Sequence, residues 1–193
     1  MFRREPVVLY SRRRRSAQLH RDMNTMKSGL VYLRPSRLAY VRVTGAYETS
    51  IPEAWSRMLS WIEKNGLSSP VGIGYGLARD NAIIVGADKC RYDACIQVTP
   101  LFEERAIREL GVVTLPGGSY TRMRLAGGYE PIRSIMTTIH SEFAPSPLLR
   151  IDDKRPIVTI YLDDPRRFDG NDLRADICVP VTAARVSREA QAA

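Results

Sequence analysis

The chain has 193 residues, of which 44% are hydrophobic and 26% charged, which is enough to bury a core and fits one or two globular domains. The three cysteines are odd in number and lack paired CxxC spacing, which argues against a disulfide framework or a cysteine zinc site and favours a reducing cytoplasmic compartment. No apolar run approaches the roughly 18 residues that span a bilayer, so we expect no membrane partner, and no motif indicates a metal ion or cofactor.

The formal net charge of +8 is concentrated in residues 1–37, which hold ten basic and two acidic residues, while the remainder is balanced. Residues 1–28 include Arg12 to Arg15 without apolar periodicity, so we predict a basic, disordered N-terminal extension. A nucleic-acid-binding arm is the alternative, because arginines add sequence-independent affinity for phosphates. Since Met23 and Met26 stand just before the first strand-like segment, a native start after residue 22 also stays open.

The first half of the chain alternates strand and helix signals. Residues 29–43 have the alternating pattern of half-buried strands, and residues 52–66 place apolar side chains at helical spacing before Gly66, a suitable helix cap. A strand-like stretch at residues 72–80 and a loop then precede a further strand that ends at Val98. These signals predict the order strand, helix, strand, strand.

The second half repeats this order. Residues 101–110 form either a connecting helix or a short turn, and Pro116 to Gly118 break the chain before a strand over residues 119–125. A second helix is expected from Pro131, followed by a strand over residues 156–164 and a last strand that ends at Val181. Residues 182–193 are predicted to be a disordered tail.

Two sequence motifs recur at nearly the same distance. The stretch RYDACIQV at residues 91–98 returns as RADICVPV at residues 174–181, and GAYE at residues 45–48 returns as GGYE at residues 127–130. Agreement in both order and spacing indicates an internal duplication. We therefore divide the chain into repeat 1, about residues 29–98, a linker over residues 99–117, and repeat 2, about residues 118–181.

The paired turns, KCRYDACIQV, IYLDDP and the closing DICVPV together resemble the GyrI-like domain family over residues 29–181. This resemblance implies a single α+β domain with pseudo-twofold symmetry, a curved antiparallel sheet and two long helices. It also implies a cleft between the repeats that binds small, often cationic and aromatic molecules. The family includes the bacterial DNA gyrase inhibitory protein, the effector-binding domains of AraC- and MerR-type regulators, and hydrolases of cyclopropanoid genotoxins.

Three functions follow from the resemblance. The first is capture of small amphipathic or cationic molecules for sensing, sequestration or toxin resistance. The alternatives are a DNA gyrase inhibitory protein that acts by protein–protein contact and a hydrolase of cyclopropanoid genotoxins. Because the residues before the first strand lack two amphipathic helices with a short turn, we expect no sequence-specific DNA binding.

The resemblance assigns Asp176 to ligand binding, because relatives carry an acidic residue, usually Glu, four positions before the proline of the last strand. A buried carboxylate facing aromatic rings would attract an organic cation. The shorter Asp would place the charge differently from Glu. Strand alternation offers a structural alternative, in which Asp176 pairs with an arginine at position 42, 122 or 124.

Aromatic residues supply the remaining ligand-binding candidates. Tyr47 and Tyr129 occupy equivalent turns, which pseudo-twofold symmetry would bring towards one cleft, although packing of the turns is an equal alternative. The further candidates are Tyr75, Tyr161 and Trp55, of which Trp55 also has helix-packing spacing. No cysteine or histidine has a recognisable activating partner, so we predict no catalytic residue and favour binding over enzymatic activity.

Overall fold

The computed structural model of the chain describes residues 28–67, 74–100, 102–165 and 170–184. The predicted N-terminal extension, apart from Ser28, and the predicted tail after Ala184 lie outside these residues. No helix in the described part of the chain is long and apolar enough to cross a lipid bilayer.

Nine strands and four α-helices form the described structure. The strands are β1 (Ser28–Leu33), β2 (Ser36–Thr44), β3 (Gly74–Ala78), β4 (Arg91–Gln97), β5 (Gly111–Leu115), β6 (Gly118–Ala126), β7 (Leu149–Ile151), β8 (Ile157–Tyr161) and β9 (Arg174–Ala183). The helices are α1 (Tyr47–Lys64), α2 (Ala82–Val85), α3 (Glu103–Glu109) and α4 (Glu130–Glu142). Short 3-10 turns lie at Ala87–Lys89 and Gly170–Asp172.

The strands form one open, curved antiparallel sheet with the order β1-β6-β9-β8-β3-β4-β2-β5, and β7 pairs with the end of β9. Repeat 1 contributes β2, α1, β3 and β4, and repeat 2 contributes β6, α4, β8 and β9. The prediction of a duplicated α+β fold with two long helices is confirmed.

The pseudo-twofold axis passes through the centre of the sheet, where β3 and β8 pair. Gly76 pairs there with Thr159, which stands 83 positions later in the chain. The two edge strands are exchanged between the halves, because β1 pairs with β6 and β5 pairs with β2. The range predicted as a linker, residues 99–117, therefore contains both α3 and an edge strand of the sheet.

Each face of the sheet has its own apolar cluster. Alternation along β9 directs Ala175, Ile177 and Val179 to the face that α1 and α4 cover, where the main core forms. Cys178 points to the opposite face and joins a smaller cluster with Leu77 and Tyr120. A side chain on one face of the central strands is therefore separated from the other face by the sheet itself.

Helix α1 begins at Tyr47, five residues before the start that the sequence predicted. The amide of Ser50 donates to the carbonyl of Ala46 at 2.8 Å, so the helical turn is formed before Pro52. At the other end, Gly66 adopts a φ of +66°. Its amide donates to Glu63 and that of Leu67 donates to Ile62, which are the two hydrogen bonds of a Schellman cap.

Candidate ligand-binding pocket

A partly open cavity of about 220 Å³ lies between α1 and the turn that follows β8. One wall comes from α1 and consists of apolar side chains, namely Ile51, Pro52, Trp55 and Leu59. The facing wall comes from repeat 2 and includes Tyr129, Tyr161 and Pro165. The pocket thus lies between a helix of one repeat and a strand and turns of the other.

Three aromatic rings are in contact at the centre of this pocket. The ring centroids of Trp55 and Tyr161 are 4.8 Å apart, and those of Tyr129 and Tyr161 are 4.9 Å apart. Both pairs meet edge to face, with interplanar angles of 76° and 81°. This geometry is favourable for aromatic pairs and leaves ring surface available to a ligand.

Gly74 makes room for the indole ring of Trp55. A Cβ atom at position 74 would lie 2.4 Å from an atom of that ring, which is shorter than any tolerable contact. Gly76, two positions along the same strand face, leaves comparable space for Tyr92, whose hydroxyl would lie 2.0 Å from an added Cβ. Neither glycine was among the site residues predicted from the sequence, although their alternation in β3 marks a strip of sheet that another group approaches closely.

A chain of hydrogen bonds joins the indole to two tyrosines beneath it. The indole Nε1 of Trp55 donates to the hydroxyl of Tyr92 at 3.2 Å, and the hydroxyl oxygens of Tyr92 and Tyr161 are 2.9 Å apart. Burial raises the pKa of Tyr161 to about 12 and that of Tyr92 well above its usual range. Both hydroxyls are therefore protonated at neutral pH.

The two tyrosines lie at unequal places in the two repeats. On the helix-covered face, Ala78 pairs with Tyr92 in repeat 1, whereas Tyr161 pairs with Ala175 in repeat 2. The large and small side chains are therefore exchanged between the two strands of each pair. This exchange departs from the internal symmetry and brings both hydroxyls together beside α1.

Tyr129 also holds the turn that borders the pocket. Its hydroxyl donates to the carbonyl of Asp163 at 2.6 Å and accepts from the amide of Asp163 at 3.2 Å. The carboxylate of Asp163 in turn accepts two hydrogen bonds from the guanidinium of Arg174, at 2.8 and 2.9 Å. These hydrogen bonds with Arg174 hold the pKa of Asp163 below its usual value.

Repeat 1 contains the same arrangement, which we call the turn clamp in both repeats. The Tyr47 hydroxyl donates to the carbonyl of Asp80 at 2.7 Å, and the Asp80 carboxylate accepts from the Arg91 guanidinium at 2.6 and 2.9 Å. Tyr47 is buried and does not line the pocket. The structural alternative for the paired tyrosines is therefore realised in both turns, and Tyr129 lines the pocket as well.

Among the described residues, the charged groups that line the pocket are three carboxylates and one guanidinium. Glu130, Asp163 and Asp164 line it together with one guanidinium, that of Arg133. Glu130 and Arg133 form an ion pair along α4. Asp163 is paired in the same way with Arg174.

Asp176 lies away from the pocket, on the sheet face opposite the helices. Its carboxylate is 6% exposed and accepts two hydrogen bonds from Arg124, one of them at 3.1 Å, and Arg122 lies 3.9 Å away. Asp93, at the corresponding place in repeat 1, accepts from both Arg42 and Arg79. These contacts match the structural ion pair that was the alternative to ligand binding.

Of the six residues predicted from the sequence to bind a ligand, Trp55, Tyr129 and Tyr161 meet in one pocket. Tyr47 belongs to the turn clamp, and both Tyr75 and Asp176 face the other side of the sheet. Within the described residues, no group of three or more His, Cys, Asp or Glu side chains is arranged to hold a metal ion.

Comparison with known proteins agrees with this architecture. A family model described as GyrI-like small molecule binding domain matches residues 26–182. The EcmrR C-terminal domain superposes with a TM-score of 0.58 at 10% identity, over 83% of this chain and 99% of that domain. SAV2435 bound to tetraphenylphosphonium gives 0.56 at 14% identity, over 81% of this chain and 94% of that one.

An integron cassette protein from Vibrio cholerae gives a TM-score of 0.52 at 13% identity, over 80% of this chain and 95% of that one. No curated protein matches the sequence significantly. At these identities the likeness to solved structures shows a shared fold.

Proposed function

We propose that this chain, which belongs to the family of GyrI-like small molecule binding domains, captures an aromatic, preferably cationic molecule between α1 and the turn after β8. The observation that carries the proposal is the contact of Trp55, Tyr129 and Tyr161 in one open cavity. An aromatic ring inserted there would bury apolar surface against ring surface on several sides.

The size of the cavity supports a ligand that is only partly enclosed. An apolar cavity of about 150 Å³ holds a benzene molecule, so about 220 Å³ accommodates a somewhat larger aromatic group. Because the cavity opens to solvent, the rest of the ligand can extend outward. This arrangement favours amphipathic molecules whose polar part stays near water.

The aromatic rings around the cavity favour a cation. Trp55 belongs to the ring type that binds cations best, and Tyr129 and Tyr161 add two further rings. The carboxylate of Asp176 is not needed for this selection. The ligand charge that the sequence predicted is kept, but the residues that support it are different.

Sensing, sequestration and toxin resistance are all compatible with such capture, and we propose that it takes place in the cytoplasm. Cys90, Cys95 and Cys178 are buried free thiols, which suits a reducing compartment. Inhibition of DNA gyrase stays a prediction from the family resemblance, and the lack of sequence-specific DNA binding stays a prediction from the sequence before the first strand. A purified supercoiling assay without any inhibition would count against the gyrase prediction.

Binding is favoured over hydrolysis by the state of the pocket carboxylates. A general base works best with a pKa near the operating pH, whereas hydrogen bonds from Arg174 lower the pKa of Asp163. Glu130 is paired with Arg133. Turnover of a cyclopropanoid compound by the purified protein would reverse this preference.

Fluorescence offers a direct test, because the chain has two tryptophans and only Trp55 lines the described pocket. A Trp61→Phe variant isolates the emission of Trp55, and titration with tetraphenylphosphonium should then change it saturably. In the otherwise unchanged protein, Trp55→Ala should weaken binding of the same cation by about tenfold or more in equilibrium dialysis.

The matched control is Trp61→Phe, since Trp61 packs against Phe102 and donates to Glu109 away from the pocket. Its affinity should equal that of the wild type. If Trp55→Ala stays folded by circular dichroism and binds as tightly as the wild type, the proposed site is wrong.

A further inference from the structure

The three donor groups at and beneath the Trp55 indole form only two hydrogen bonds with one another, so one proton has no acceptor among them. The indole N–H and the two tyrosine O–H groups supply three protons, but the chain from Trp55 through Tyr92 to Tyr161 contains two hydrogen bonds. The indole N–H also reaches the Tyr161 oxygen, and within the described residues neither hydroxyl has a hydrogen-bond partner outside this group of three side chains. One hydroxyl proton is therefore left over.

Two arrangements distribute these protons. If Tyr161 donates to Tyr92, the Tyr92 oxygen accepts twice and its own proton has no acceptor. If Tyr92 donates to Tyr161, the free proton belongs to Tyr161. The direction of the Tyr92–Tyr161 hydrogen bond thus decides which residue holds an unused donor.

Burial separates the two arrangements. Tyr92 is 0% exposed, and its hydroxyl lies against the bare backbone of Gly76, so a free proton there would meet neither water nor an acceptor. A buried donor without a partner is costly. Tyr161 is 7% exposed and lines the pocket, where water or a ligand can accept its proton. The second arrangement is therefore the stable one.

We infer that Tyr161 presents its hydroxyl as a hydrogen-bond donor to the pocket, and that the ligand carries a neutral acceptor on the aromatic group beside Trp55. A carbonyl oxygen, an ether oxygen or an aromatic ring nitrogen has the required chemistry. A neutral acceptor leaves the positive charge of the proposed ligand in place, whereas a carboxylate would cancel it. This inference rests on the proposed function and specifies the ligand class of the same site.

Two probes that differ in one acceptor test the inference. Phenyltrimethylammonium offers a ring and a cation, and 4-acetylphenyltrimethylammonium adds a carbonyl. In isothermal titration calorimetry, the wild type should bind the acetyl probe about 3- to 10-fold more tightly, as expected for one added hydrogen bond. Tyr161→Phe should remove this preference, so that its affinities for the two probes agree within about twofold.

Tyr92→Phe distinguishes the two proton arrangements. It should keep the acetyl preference, because Tyr161 already directs its proton outward in the wild type. A preference that is absent in the wild type and created by Tyr92→Phe would show that Tyr161 donates inward, which would overturn the inference. Tyr75→Phe is the matched control on the opposite sheet face and should behave as the wild type.

Failure of the inference and failure of the proposed function give different results. Equal wild-type affinities for both probes, with Trp55→Ala weakening both, would disprove the donor role and leave the pocket in place. Undetectable binding of both probes and of tetraphenylphosphonium would disprove both. If Tyr161→Phe does not fold, which would be seen as a lost thermal transition, the inference is decided by two other results. These are the wild-type preference for the acetyl probe and the preference of Tyr92→Phe.

Discussion

The two turn clamps hold the chain through the same contacts, yet their surroundings differ. Beside Tyr129 lie Trp55 and Tyr161, whereas the positions that correspond to them in the other repeat carry Thr137 and Ala78. Thr137 donates to Glu48 at 2.8 Å and forms no aromatic wall. On the Tyr47 side, α2 also lies against α4.

The two repeats share some features and differ in others. The turn clamp is shared, because Tyr, Asp and Arg recur in both copies with the same hydrogen bonds. The pocket instead depends on side-chain size at a few positions that differ between the two repeats. Symmetry thus provides two equivalent places, and the choice between small and aromatic side chains opens one of them.

The largest effect should come from breaking the ion pairs on the face opposite the helices. Asp93 is 0% exposed and accepts from two arginines, whereas the arginines around Asp176 are almost half exposed. Asp93→Asn should lower the free energy of unfolding by about 3 kcal/mol, and Asp176→Asn by about 1 kcal/mol. Urea unfolding measures both.

The same variants test the role of Asp176. Because it lies away from the pocket, Asp176→Asn should bind tetraphenylphosphonium as the wild type does. A loss of more than tenfold in a folded Asp176→Asn protein would return Asp176 to the binding site and contradict the structural interpretation.

Making the pocket strand resemble its counterpart should close the pocket. Ile157 stands where the repeat places the equivalent of Gly74, and a side chain at position 74 collides with Trp55. Gly74→Ile should weaken cation binding at least tenfold and cost about 1–3 kcal/mol of stability through overpacking. Gly29→Ile is the control, since an added Cβ there meets nothing within 4 Å. Retained affinity in Gly74→Ile would show that Trp55 is not fixed by this glycine.

The two clamps can be compared with one matched pair of substitutions. Tyr47→Phe and Tyr129→Phe each remove a hydroxyl that bonds both the amide and the carbonyl of an aspartate. Each should lower the free energy of unfolding by about 1–2 kcal/mol. Calorimetric titration should show weaker cation binding, by about threefold, for Tyr129→Phe alone. Equal loss of binding in both variants would mean that the clamps act through overall stability.

The smallest expected effect is on acid stability. Hydrogen bonds from Arg91 and Arg174 lower the pKa values of Asp80 and Asp163 in the folded protein. A carboxyl group whose pKa is lower in the folded protein than its unfolded value of about 3.9 stabilises the fold at pH values above that unfolded pKa. This stabilisation is lost as the pH falls through the folded pKa.

Arg91→Gln and Arg174→Gln remove that contribution, so the midpoint of acid unfolding, followed by circular dichroism, should move to higher pH in both. Lys154→Gln, an exposed lysine outside both clamps, is the control. An unchanged midpoint in both arginine variants would show that the clamps give no pH-dependent stability.

Much of the fold could be predicted because its sequence motifs occur in both repeats. The recurrence of RYDACIQV as RADICVPV and of GAYE as GGYE indicated the duplication, apolar spacing predicted the two long helices, and alternation offered an arginine partner for Asp176 as the alternative to ligand binding. The edge strand β5 was taken as linker, because its five residues acquire a strand role only by pairing with β2 of the other half. The early start of α1 was missed because Pro52 and its polar neighbours resemble a helix start.

By itself, the sequence determined the fold family and the internal duplication, since repeated motifs are readable along the chain. It also offered six ligand-binding candidates, of which Trp55, Tyr129 and Tyr161 line the pocket. The tertiary structure alone decided that Trp55 and Tyr161 meet, that Gly74 gives them space, and that Asp176 lies on the opposite face. The physical reason is that a pocket depends on which faces of distant elements come together. Curvature, strand pairing and the exchange of Tyr and Ala between equivalent strands of the two repeats set those contacts, and no local pattern encodes them.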